Sequence, residues 1–217
     1  SGTISKDQKL DLLPSRAPVR VRRLEVHGRE TAEARAGERV SANLAGVELS
    51  DLRRGLVLAA PGAFATTKLL TVRLDLLDSA PEIASGDRLS FHHFSAEERV
   101  RVRPLDAETL RPGGSGRAQL RLSAPIAAMP GDRFVVRRLS PVETIGGGVI
   151  LDPLWPPIRK TRDAIADLDR LEKGALSDRV ALWVEQSREA GADEEELAAR
   201  AGAPAEDIRA AAAVPLA

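Results

Sequence analysis

The stretch VETIGGGVILDP, residues 142–153, decides how the chain is read. Three consecutive glycines among β-branched neighbours fit either a loop that cradles a phosphate or a strand. A phosphate loop needs a helix N-terminus directly after the glycines, because backbone N–H groups and the helix dipole hold the anion. Here the glycines run into Val149, Ile150 and Leu151, then Asp152-Pro153 and Trp155-Pro156-Pro157. That is a strand followed by a proline-rich break, in which no helix can start. No G-x-x-x-x-G-K-[ST] occurs among the 217 residues either. The glycines are not a nucleotide site.

Composition narrows the rest. Lys plus Arg and Asp plus Glu balance at 32 each, so the net charge points to no particular partner. The balance hides a split: from Arg162 onward there are 13 acidic and 7 basic residues, leaving +6 on residues 1–161. A local anionic partner for the basic portion is therefore open. The absence of cysteine excludes disulfides, thiolate nucleophiles and cysteine-based metal sites. Of the three histidines, His27 stands alone, and adjacent His92 and His93 would point to opposite faces of a strand. No apolar run approaches the roughly 18 residues of a membrane helix, and no signal peptide is visible, so the expectation is a cytoplasmic protein without a membrane partner.

Up to Pro153 the pattern has mostly period two. PVRVRRLEVHG (18–28), ERVSANLAG (38–46) and LVLAAPG (56–62) form one group of strands. KLLTVRLDLL (68–77), DRLSFHHF (87–94), ERVRVRPL (98–105), GRAQLRLS (116–123), DRFVVRRLS (132–140) and GGVILD (147–152) form a second. The intervening ASGD, RPGGSG and AMPGD are turn chemistry. Strands at this spacing predict small barrels or sandwiches rather than βαβ units. Past Trp155 the spans 161–174, 175–191, 193–202 and 204–213 read as short helices, each stopping at or before Gly or Pro with carboxylates in the first turns. The expected fold is mainly β: a barrel over 1–65, a second over 66–153, and a helical segment over 154–217 resembling the helical part of a winged helix.

Candidate sites are few. Arg99, Arg101 and Arg103 alternate along one strand, which makes them either a solvated barrel face or a stripe that contacts phosphates. His92 and His93 lie between two phenylalanines. Arg39, at the start of a strand beside a glycine turn, reads by pattern alone as a surface arginine. The segment 193–213 sets Arg200 and Arg209 against six carboxylates, which argues against DNA binding and for a packing or spacer role. No catalytic constellation is present, so an enzyme is not expected in this chain.

The text SGTISKDQKLDLLP (1–14), with residues 26–59, resembles the second domain of elongation factor Tu-like GTPases. The run GDRFVVRRLSPVETIGGGVILDP (131–153) and its upstream HHFSAEERVRVRPLD resemble the third domain of the selenocysteine-specific elongation factor (SelB) family. The resemblance makes TIGGG the last strand of a barrel, its glycines serving a bulge or a close backbone approach. KDQKL departs from the glycine–aspartate turn usual at that point.

The resemblance implies a factor that binds selenocysteinyl-tRNA and delivers it to the ribosome at a stop codon marked by an mRNA hairpin. GTP and Mg²⁺ would be handled by an N-terminal domain, and the hairpin by C-terminal winged helices, all outside these residues; the first strand of the first barrel would also lie outside. No cofactor is expected in this chain itself. Residue by residue, Arg39 matches the basic residue of the selenocysteine pocket, Glu38 a position that packs on the terminal adenosine of the tRNA, and Arg54 a position near its 5′ end. His92, Arg99, Arg101 and Arg103 are the candidates for its acceptor-T stem. A barrel pair that docks on the ribosome or a protein without selecting selenocysteinyl-tRNA is the alternative, and a winged-helix regulator is a third reading.

Overall fold

The computed structural model describes residues 2–158, 161–187 and 191–213. The chain divides into two compact units, Ser1–Ala63 and Phe64–Ala217. In the first unit, β2 (Lys9–Leu13), β3 (Ala17–Val26), β4 (Arg29–Thr31), β6 (Val40–Ala45) and β7 (Val57–Ala59) form an open sheet in the order β4-β3-β2-β7, with β6 on β3. A separate pair joins β1 (Thr3–Ser5) to β5 (Glu33–Arg35).

Alternation along β2 and β3 buries Leu10, Leu12, Val19, Val21 and Leu24 as the core of this unit. A register shift between Val21 and Arg23 against β6 breaks the alternation, and Arg22 and Arg23 both become exposed. KDQKL keeps its turn without glycine. Asp7 takes the left-handed conformation at φ 64°, and the Gln8 side chain accepts the Ser5 N–H at 2.9 Å. Aspartate is among the few residues that tolerate this region.

The second unit contains a closed six-stranded barrel. Its strands are β8 (Thr66–Leu76), β10 (Arg88–His93), β11 (Ala96–Pro104), β13 (Ser115–Ala127), β14 (Arg133–Arg137) and β15 (Thr144–Asp152), all antiparallel, in the order β10-β11-β13-β8-β15-β14. A short pair of β9 (Ile83–Ala84) and β12 (Thr109–Leu110) sits beside it. Inward-facing Leu70, Val72, Leu74, Phe91, Leu120, Val136, Ile145 and Ile150 fill the core. All six strands coincide with the second group of period-two segments.

The glycines of β15 are explained by crowding. A Cβ on Gly146 would overlap the carbonyl oxygen of Asp75, one on Gly147 that of Phe134, and one on Gly148 that of Arg73. β15 is threaded between β14 and β8 at a distance no side chain allows. The ladders also shift register at both its ends, between Val136 and Arg137 on β14 and between Ile150 and Asp152 against β8. Close approach and bulges are both present.

Four helices follow: α1 (Thr161–Lys173), α2 (Leu176–Ser187), α3 (Glu194–Ala201) and α4 (Ala205–Ala212). Positions 188–190 of the expected second helix lie outside the described residues. The α3 N-cap is Asp193, whose carboxylate accepts the Glu195 N–H, and Gly202 ends that helix at φ 64°. Trp155, Ile158, Leu168, Leu171, Val180, Leu182, Trp183, Leu197 and Ile208 form a core that also takes in Leu105 of the barrel. The helical segment is thus packed into the same unit as the barrel.

The centre of that union is polar. Asp152, fully buried, accepts hydrogen bonds from Leu154 N–H, Trp183 Nε1 and Arg200 Nε. The Arg200 guanidinium lies 5.0 Å from the centre of the Trp183 ring and 5.9 Å from that of Trp155. Arg200, read from sequence as one of two cations on an acidic surface, is a core residue.

Candidate functional site

The outer face of the second-unit barrel is organised in cross-strand rows, each with a different fate. Arg73 on β8 is in register with Arg117 on β13, and both are neutralised. Arg117 pairs with Asp106 at 2.7 Å and with Asp169 of α1 at 2.8 Å, while Arg73 lies 3.5 Å from Glu172 of α1. Burial works against the Arg117 charge, but Asp106 and Asp169 outweigh it and hold the guanidinium above its ordinary value.

The next row is Arg103 on β11, Gln119 on β13 and Thr71 on β8. It grips the segment leaving β15. Gln119 donates to the Pro156 carbonyl at 2.9 Å and accepts the Ile158 N–H at 3.0 Å, and the Arg103 guanidinium donates to the Ile158 carbonyl.

The third row has no such cover. Arg88 on β10, Arg101 on β11 and Arg121 on β13 are in register on adjacent strands, and all three are exposed. Among the described residues no carboxylate lies within ion-pair distance of any of them. Like charges set directly opposite one another destabilise a sheet. Three guanidinium groups side by side set up a positive potential that attracts anions.

One step along the strands, Ser90 is in register with Arg99 on one side and Arg137 on the other. Here a depression of about 370 Å³ is lined by Ser90, His92, Glu97, Arg99, Arg137 and Arg138, with others. Ser90 Oγ lies 3.0 Å from His92 Nε2 and donates to Glu97 at 3.1 Å. The Arg137 Nε is buried with no hydrogen-bond partner among the described residues. His93 points the other way, buried and 3.0 Å from Asp132, so the two histidines do face apart.

Residues 1–59 match the family model for elongation factor Tu domain 2, and residues 68–157 match that for the β-barrel domain of the selenocysteine-specific elongation factor. The selenocysteine-specific elongation factor of Desulfomicrobium baculatum is 35% identical over 192 residues, 88% of this chain and 30% of that protein. The chain is similar to the selenocysteine-specific elongation factors. Elongation factor Tu 2 of Streptomyces avermitilis is 28% identical over 154 residues, covering 69% of the chain and 39% of that factor. In fold, a crystal structure of the bacterial selenocysteine-specific elongation factor EF-Sec matches with a TM-score of 0.78 at 20% identity, over 93% of this chain and 31% of that one. Apo SelB from Methanococcus maripaludis matches with a TM-score of 0.60 at 19% identity, over 74% and 38%. The chain spans about a third of the length of these relatives.

The residues matched to the elongation-factor family from sequence fall on two units. Arg39, Glu38 and Arg54 are exposed on the first. Glu38 closes its own turn by accepting the Arg35 N–H at 2.7 Å, while Arg39, directly before β6, has no partner among the described residues. His92, Arg99 and Arg101 share the basic face of the second unit; Arg103 is committed to Ile158. Arg88, Arg121 and Arg137 complete that face and escaped sequence reasoning. Each occupies an outward position in a period-two strand, but only the register shows that they converge.

GTP and Mg²⁺ find no fit here: no glycine loop leads from a strand into a helix among the described residues. Nor does any group of three or more His, Asp or Glu among them stand close enough to hold a metal ion. No described helix is long and apolar enough to cross a membrane.

Proposed function

We propose that this chain is the tRNA-holding part of a selenocysteine-specific elongation factor, binding selenocysteinyl-tRNA for delivery to the ribosome and UGA recoding. The observation that carries this reading is the uncovered row of Arg88, Arg101 and Arg121 beside two rows that are neutralised or buried. A-form RNA offers phosphates and 2′-hydroxyls rather than base edges, and a bare guanidinium row suits such a backbone. Arg99, His92 and Arg137 extend the row along the acceptor-T stem. Glu38 and Arg54 would meet the terminal adenosine and the 5′ end.

Selection of the amino acid rests on Arg39. A selenol is largely ionised near neutral pH and the competing serine is neutral, so a guanidinium without another partner favours the selenolate. A charge-assisted hydrogen bond is worth about 1.5–3 kcal/mol, roughly ten- to hundred-fold in affinity. GTP hydrolysis and reading of the mRNA hairpin belong to other domains of the factor. The acidic first turns of α3 and α4 suit a winged-helix-like spacer better than a DNA-binding helix. The cytoplasm is where such a factor works.

Titrating the chain with selenocysteinyl and seryl forms of one tRNA at fixed salt, beside Arg39→Ala, tests the reading. Preference for the selenocysteinyl form, erased by Arg39→Ala, is the expected result. Equal binding of both forms by the parent chain would sink amino-acid selection. The barrels would then be a docking module, a role that the exposed Leu139 and Val142 at the rim of the depression would suit.

A further inference from the structure

Phe94 is the one apolar side chain among the described non-glycine residues that hold a left-handed backbone, the others being Asp7, Arg16 and His27. Together with Ser95 it forms the two-residue loop between β10 and β11, closed by the His93–Ala96 pair, and its φ is 48°. Glycine, asparagine and aspartate fill such positions because a large Cβ substituent is strained there. Phe94 is also 81% exposed, with its ring centre 4.4 Å from that of His93. A glycine would relieve both the strain and the exposure, so stability of the hairpin does not account for a phenylalanine.

Its surroundings indicate what the ring meets. Arg88, Ser90 and His92 alternate outward along β10, and the loop carries Phe94 beyond the end of that line. On the adjoining strand β14, the exposed Val135 is in register with His92, with Arg133 and Arg137 on the same outer side. An exposed aromatic set among arginines, continuous with the guanidinium row, is the composition of a surface that stacks bases beside a phosphate track.

We infer that Phe94 is a stacking platform for an unpaired RNA base at the end of the basic face. The inference rests on that face binding RNA and names the RNA it takes: a duplex interrupted or ended by an unpaired base next to the β10–β11 loop. Bases inside a perfect A-form helix offer no free face to an aromatic ring, whereas bulges, loops and ends do.

The test compares the parent chain, Phe94→Gly and Phe94→Trp against a blunt RNA duplex and the same duplex with a single unpaired base, across a salt series. The parent should prefer the interrupted duplex. Phe94→Gly should bind that duplex about five- to hundred-fold more weakly, with an unchanged salt slope and unfolding no easier than the parent. Phe94→Trp should retain the preference. Equal binding of the interrupted duplex by parent and Phe94→Gly would overturn the platform while leaving the basic face standing. Failure of the parent to bind either duplex at low salt would overturn the face and the platform together.

Discussion

Arg200 Nε donates to Asp152 Oδ2 at 2.9 Å, across 48 positions of sequence, at a point from which water is excluded. The bond joins α3 to the last residue of the barrel, and Trp183 of α2 donates to the same oxygen at 2.9 Å. Removing one member of a buried pair leaves the other charge uncompensated, which costs about 3–5 kcal/mol. Asp152→Ala should therefore destabilise the second unit by about that amount, read by urea unfolding followed through the two tryptophans, both of which lie here. The double replacement Asp152→Leu, Arg200→Met should recover most of the loss.

Gly148 permits no side chain, since a Cβ there would overlap the Arg73 carbonyl oxygen. Gly148→Ala forces β15 away from β8 in a barrel with no spare edge. Overpacking of this kind costs about 1–3 kcal/mol or more. Chemical denaturation should show the loss, while Gly131→Ala, whose added Cβ meets nothing within 4 Å, should lose only what its φ of 87° demands.

Arg101 faces Arg88 on one side and Arg121 on the other. Neutralising it should weaken RNA binding and yet leave folding unharmed. Arg101→Gln should lower the slope of log affinity against log salt by about 0.7–0.9. It should also stabilise the barrel by about 0.2–1 kcal/mol through relief of like-charge opposition. A titration at four salt concentrations, with thermal unfolding of the same samples, reads both.

Asp169 of α1 is held below the ordinary carboxylate range. Burial opposes its charge, but Arg117 and Lys173 prevail. Glu185, bonded to Arg170, is lowered as well. A depressed carboxylate stabilises at pH above its unfolded value, about 4, and that contribution is lost as acid takes the solution through the lower folded value. Loosening of α1 from the barrel is therefore expected only in acid. Asp169→Asn should lose that contribution at neutral pH, cost little in acid, and so flatten the acid limb in pH-dependent unfolding.

The barrel strands were legible because their inner faces are apolar at every second residue, a pattern that survives without knowing the partners. Helix ends were legible from Asp193, Gly174 and Gly202. The short pairs β1–β5 and β9–β12 were not, being two or three residues long with no periodicity to detect. Arg200 was misjudged because a polar side chain announces solvent until the segment that covers it is placed. The basic face was visible only along a single strand, because Arg99 and Arg101 share a sequence motif while Arg88, Arg121 and Arg137 come together through register.

The crowding around β15 also divides the barrel by how far each part tolerates change. Three positions of that strand accept nothing larger than hydrogen, so its path is frozen. Arg88 of β10, Arg99 and Arg101 of β11 and Arg121 of β13 are exposed on the outer side, and their charges are free to be redrawn. Preference for one RNA over another could thus be rewritten on the outside of this molecule without disturbing the closure that keeps it folded.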